Sequence, residues 1–220
     1  MPITTVVFDI GETLVDETRH WGEWADWLGV PRLTLFAVLG AVISRGEHHR
    51  WVFEILRPGF DMAAAEAERR AGGWRYGFEP QDLYPDAAPC IARLRELGYR
   101  VGLAGNQPQG AEAALAQAGL TADFIASSAS WGVEKPSPAF FNRLIEAAGC
   151  PAGQIAYVGD RLDNDVLPAR AAGMTAVFLR RGPWGVLQAG WPELDQAHRA
   201  IERLDQLIEA LQGLGQAPSR

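Results

Sequence analysis

The 220-residue chain is 48% hydrophobic with a formal net charge of −7, which allows one large α/β domain, or a domain with a smaller insert, and argues against a nucleic-acid partner. Two cysteines, Cys90 and Cys150, make no disulfide framework and fit a reducing cytoplasm. A strand opens the chain, so no signal peptide is expected, and the longest strongly apolar region, residues 33–43, is too short to span a membrane.

The first element is Ile3 to Asp16, ITTVVFDIGETLVD. Val6, Val7 and Phe8 read as a buried parallel strand that ends on Asp9, and Gly11 signals a sharp turn. A carboxylate in that position sits where open α/β sheets bind their ligands. From Glu17 to Gly77 the strand signals vanish. Helices are expected over His20–Leu28, Leu33–Ser44, His48–Leu56 and Met62–Arg70, broken by Gly29-Val30-Pro31, Gly46 and Pro58-Gly59. Five of the eight tryptophans lie here, and Trp21, Trp24 and Leu28 keep helical spacing. That face reads as the core of a small helical bundle. His48 and His49 read as solvated positions that diverge on a helix.

The α/β pattern returns at Tyr84-Pro85. Helices are expected over Asp86–Leu97, Gln109–Ala118, Ala139–Ala148 and Val166–Ala172. Strands are expected over Arg100–Ala104, Phe124–Ala126, Gln154–Val158 and Thr175–Leu179, with residues 127–138 as a loop. A long amphipathic helix, Leu194–Leu211, and a frayed tail from Gly213 close the chain. Alternation of this kind implies a Rossmann-like, three-layer parallel sheet. The core domain is then residues 1–16 and 78–220. Residues 17–77 form a helical cap inserted after the first strand, expected to lie over Asp9 as a lid.

Strand ends gather the chemistry. Asp9 and Gly11 follow the first strand, and Gly105-Asn106 ends the second. Lys135 lies in GVEKPSPAFF, and Asp160, Asp163, Asn164 and Asp165 lie in VGDRLDNDV. Clustered carboxylates are costly without a cation among them. A few oxygen ligands with room for water suit Mg²⁺: Asp9, Asp160 and the carbonyl of Gly11. Asp163 and Asn164 would serve equally well as caps of the next helix.

The strand plus DxxxTL around Asp9, Thr13 and Leu14, then GVEKPSPAFF, then GDRLDND, in that order, resemble the haloacid dehalogenase-like hydrolase superfamily. The resemblance covers Ile3 to about Arg181. It implies that Asp9 is a nucleophile toward phosphorus, that Lys135 neutralises the transferring phosphoryl group, that Asp160 is a Mg²⁺ ligand, and that Asp165 holds metal-bound water. Two positions depart from the pattern. The second Asp of DxDxT, the general acid and base, is Gly11 here. The Ser or Thr that binds phosphate is Gly105, followed by Asn106, and these two are the expected substrate-binding positions. Glu12 is the nearby carboxylate to weigh as a substitute. The expected activity is Mg²⁺-dependent hydrolysis of a small phosphorylated metabolite by a cytoplasmic monomer or homodimer, with no nucleic-acid or membrane partner. Two other readings stay open: a metal-independent haloacid dehalogenase, and a catalytically impaired binding protein of the same fold.

Overall fold

The computed structural model of the chain describes residues 2–213. Six strands, β1 (Thr5–Phe8), β2 (Arg100–Gly105), β3 (Phe124–Ser127), β4 (Ile155–Gly159), β5 (Thr175–Leu179) and β6 (Arg199–Ile201), make one parallel sheet in the order β3-β2-β1-β4-β5-β6. The chain first runs outward from β1 through β2 to β3, then crosses to β4 on the other side. The connections therefore reverse between β1 and β4, and a crevice opens at the carboxyl ends of those two strands. Asp9 and Asp160 are the residues that follow them.

Residues 17–77 form one compact unit, and the chain on either side of them forms the other. The inserted unit holds α1 (Thr18–Leu28), α2 (Arg32–Ser44), α3 (Trp51–Leu56) and α4 (Met62–Ala71). Gly29 ends α1 in the left-handed conformation, and the Asp61 carboxylate caps α4 by accepting from Ala64 N–H. Trp21 stacks on Phe53, and the Arg69 guanidinium lies 3.9 Å and 4.1 Å from the ring centres of Trp24 and Trp74. Most of the tryptophan face is thus packed, while Trp51 is exposed. His48 and His49 precede α3 rather than lying on it, and their rings stack 4.3 Å apart.

In the second unit the strands are flanked by α5 (Ala87–Glu96), α6 (Ala111–Gln117), α7 (Ser128–Trp131), α8 (Pro138–Ala148), α9 (Leu167–Ala171), α10 (Gly182–Gln188) and α11 (Leu207–Gln212). Alternate residues of each strand point to opposite faces. Val6 and Phe8 join Leu94, Leu103, Val158 and Leu207 on one side of the sheet, while Val7 joins Phe140, Leu144, Tyr157 and Phe178 on the other. Helix α8 shows how local sequence sets this up: Ser137 Oγ accepts from Ala139 N–H, Pro138 opens the helix, Gly149 closes it, and Phe140, Phe141, Leu144 and Ala148 form its buried face.

Three sequence expectations need correction. Residues 194–211 are not one helix. They hold a 3₁₀ turn, β6, a second 3₁₀ turn and α11. The outer edge of β5 needs backbone partners, and Arg199–Ile201 supplies them; this outweighs a helical spacing that is kept only from Leu204 to Leu211. Helix α10 lies in a stretch where no element is expected from the sequence; Pro183 sits at its start, where proline is favourable. The loop over 127–138 contains α7, opened by reciprocal bonds between Ser127 and Ser130. The expected tail from Gly213 lies outside the described residues beyond Gly213 itself. Among the described residues no single helix is long and apolar enough to cross a membrane.

Candidate active site

Asp9 N–H still bonds to Val158 C=O at 2.8 Å, so the ladder to β4 holds the Asp9 backbone. The chain then turns: the Ile10 carbonyl accepts from Leu14 and Val15, and Glu12 N–H bonds to Val15 C=O. The left-handed residue of this turn is Glu12, with φ of 54°, and Gly11 is not among the glycines with positive φ. The turn therefore does not require glycine at position 11. The Glu12 carboxylate accepts from the Tyr84 hydroxyl at 2.7 Å and packs beside Gly182.

The turn after β4 is unusually wide. Leu162–Val166 forms a π turn, a feature often found at functional sites. It places Asp165 on Lys135 while Asp163 turns away to pair with Arg161 at 2.6 Å. Asp163 thus neither caps a helix nor joins the acidic cluster. Gln188 braces the turn: its Oε1 accepts from Leu162 N–H at 2.6 Å and its Nε2 donates to Asp163 at 2.9 Å.

Lys135 is no solvated loop residue. It is 3% exposed, and its Nζ lies 2.6 Å from both Asp9 Oδ1 and Asp165 Oδ1. The carboxylates of Asp9, Asp160 and Asp165 offer oxygens that all lie within 4.8 Å of one another. Thr13 Oγ1 donates to Asp160 Oδ1 at 3.4 Å, whereas Asp160 Oδ2 is buried with no hydrogen-bond partner. Two glycines make room for this cluster. A Cβ at residue 105 would sit 2.6 Å from Asp9 Oδ1, and one at residue 159 would run into the Asp165 carboxylate. Gly105 thus leaves space for Asp9 to reach Lys135. Asn106, beside it, uses its amide on the backbone of Lys135.

The electrostatics follow from three carboxylates around one ammonium. Burial, then the charges of Asp165, Asp9 and Glu12, push the Asp160 carboxyl well above the ordinary carboxylate range. Burial and Asp9 raise Asp165 to about 7 against the pull of Lys135. Burial alone would lower Lys135, but Asp165 and Asp9 outweigh it and hold the ammonium well above the usual lysine value. A divalent cation fits the arrangement, since a lone buried carboxylate oxygen costs about 1–3 kcal/mol or more without a partner. A raised folded-state value stabilises below the unfolded value, near 4, and that stabilisation fades as pH rises through about 7. Without metal, the melting temperature should therefore fall between about pH 4 and pH 7. Melting curves in EDTA and in Mg²⁺ at pH 5 and pH 8 check this: Mg²⁺ should stabilise more at pH 8.

Several contributors had no local sequence signal. Tyr157 lies under Lys135 with its ring centre 5.6 Å from Nζ, and its hydroxyl donates to Ala104 C=O. Arg181 donates to Thr13 C=O at 2.9 Å, pairs with Asp86, and lies over the Tyr84 ring. Composition carries a signal for the lysine: Lys135 is the only lysine in the chain, every other side chain of the Lys/Arg class being arginine.

Residues 3–173 match the family described as haloacid dehalogenase-like hydrolase. A glyceraldehyde 3-phosphate phosphatase of Methanopyrus kandleri is 37% identical over 46% of this chain and 45% of its own length, so the chain spans less than half of that relative. One from Pyrococcus abyssi is 31% identical over 82% of each chain. A phosphoglycolate phosphatase of Aliivibrio fischeri is 28% identical over 82% of this chain and 85% of its own. In fold, the structure is similar to an HAD phosphatase from Thermococcus onnurineus, with a TM-score of 0.62, 24% identity, and coverage of 96% and 99% of the two chains.

Proposed function

The chain belongs to the haloacid dehalogenase-like hydrolases, and from that premise we propose that it hydrolyses a small phosphorylated metabolite through Asp9. The observation that carries the reading is the Lys135 ammonium held between Asp9 and Asp165 beside the unpartnered Asp160 Oδ2. The phosphatase relatives, which are named for small phosphorylated substrates, support the same substrate class. An Asp9 carboxylate oxygen attacks phosphorus, the bond to the leaving oxygen breaks, and water then cleaves the aspartyl-phosphate, returning Asp9 and releasing inorganic phosphate. Lys135 offsets negative charge as the phosphoryl group arrives and transfers. Asp9, Asp160 and the Gly11 carbonyl would hold Mg²⁺, with Asp165 beside them. When bound, the ion supplies positive charge for the phosphoryl oxygens. Residues 17–77 act as the substrate-selecting cap in this reading. The unpaired cysteines support a cytoplasmic location, and either a monomer or a homodimer is compatible with it.

The test is phosphate release across a panel of phosphorylated metabolites, in Mg²⁺ and in EDTA. Release that stops in EDTA, together with Mg²⁺ binding that Asp160→Ala greatly weakens in calorimetry, is expected. Release indifferent to EDTA, or unchanged binding in that variant, would remove the metal from the reading. The glycines at 11 and 105 favour a second reading, a binding protein with impaired turnover, because neither offers a proton or a side-chain hydrogen bond.

A further inference from the structure

We propose that Asn106 is a positioning residue for Lys135, fixing the root of the lysine so that its tip meets Asp9; this deepens the phosphoryl-transfer reading and rests on it. Asn106 follows β2 directly. Its Oδ1 accepts from Lys135 N–H at 2.7 Å, and its Nδ2 donates to Lys135 C=O at 2.9 Å. One side chain thus serves both backbone polar groups of a residue 29 positions away. Two bonds fix rotation as well as position, as a bridge between two strands does. The pairing needs a donor and an acceptor in one plane, which an amide has and a carboxylate lacks.

The consequence falls on Nζ. Lysine is a point charge on a flexible four-carbon stem, and here that charge must touch two carboxylates at 2.6 Å each. Asn106 holds the root of the stem, and Asp9 and Asp165 hold its tip. Tyr157 packs beneath it, tied by its hydroxyl to Ala104 C=O at 2.9 Å. The end of β2 therefore anchors both supports of the lysine, Ala104 the ring and Asn106 the backbone. The bonds to Lys135 use one acceptor site of Oδ1 and one Nδ2 hydrogen. Misplacing a reacting group by about 1 Å can cost roughly 10²-fold in rate.

Turnover of p-nitrophenyl phosphate in Mg²⁺ tests this in Asn106→Ala, Asn106→Asp, Lys135→Ala and the double variant Asn106→Ala/Lys135→Ala, with melting curves to establish that each is folded. A second arm needs no turnover: Lys135 is the only lysine, so acylation by acetic anhydride, read by mass spectrometry on the peptide that carries it, reports its exposure. Asn106→Ala should lower kcat about tenfold while KM stays within about twofold, and Asn106→Asp, which loses the donor, should lose as much. It should speed acylation of Lys135 several-fold and cost nothing further once Lys135 is alanine. A raised KM with unchanged kcat, losses that multiply in the double variant, or unchanged acylation would overturn the proposal. If the wild type releases no phosphate from any ester, the phosphatase reading fails on its own, and acylation alone decides: faster labelling in Asn106→Ala upholds the clamp and equal labelling refutes it.

Discussion

Lys135→Ala should cost turnover at least about 10²- to 10³-fold, the scale of losing one preorganised charge or donor at a transition state. It should also destabilise the fold. Removing the ammonium in direct contact with Asp9 and Asp165 leaves like charges buried together, and breaking such a pair costs about 3–5 kcal/mol. That penalty depends on pH, because the carboxylates escape it by taking up protons; the variant should regain stability as pH falls from 8 toward 5. Melting curves at the two pH values and phosphate release at the higher one measure the effects separately. Lys135→Arg keeps the charge and controls for simple loss of a cation. Its planar guanidinium cannot place one nitrogen at the point the ammonium occupies without shifting neighbours that leave the residue 3% exposed. Turnover should therefore stay low in Lys135→Arg even where stability recovers. Full turnover in the arginine variant would mean that charge alone, and not its location, is what the site requires.

The sheet could be read from the sequence because its strands are locally unambiguous. Thr5–Phe8 and Ile155–Gly159 are buried throughout, and continuous apolar runs of that length have few other ways to fold. Their last residues are legible for the same reason: a strand that stops at Gly159 puts Asp160 at the carboxyl end of the sheet. The role of the glycine was less visible. Gly105 and Gly159 read as turn signals, yet each leaves the volume in which a carboxylate from elsewhere in the fold must lie. Close approach across 96 residues of chain, from Asp9 to Gly105, has no local pattern. Arg181, Tyr157 and Gln188 were invisible likewise, since each acts on a segment distant in the chain. The failure over 194–211 has a different cause. Ile201, Leu204, Leu207 and Leu211 are all buried, so the apolar spacing was real, but the unpaired edge of β5 drew three residues out of the helical pattern. The sharp turn expected at Gly11 is present, and its left-handed residue is Glu12 rather than the glycine.

That displacement sharpens what Gly11→Asp should do. With no positive φ at Gly11, an aspartate there escapes the strain of about 1 kcal/mol that a left-handed position imposes on a side chain. Melting should therefore change little. If Asp9, Lys135 and Asp160 already form a working site, the added carboxylate supplies the proton that an alkoxide leaving group needs. Turnover of a simple alkyl phosphate should rise at least about tenfold, the cautious end of what positioned acid–base catalysis contributes. An acyl or aryl phosphate should gain less, because its leaving group departs without a proton. The informative quantity is the ratio of the two gains, measured side by side in protein that melts like the wild type. Glu12 does not blur the comparison, since its carboxylate is engaged by the Tyr84 hydroxyl. A larger gain for the alkyl ester identifies Gly11 as the point where proton transfer is missing. Equal gains, or none for the alkyl ester, would place the deficit elsewhere and raise the binding-protein reading above the enzyme.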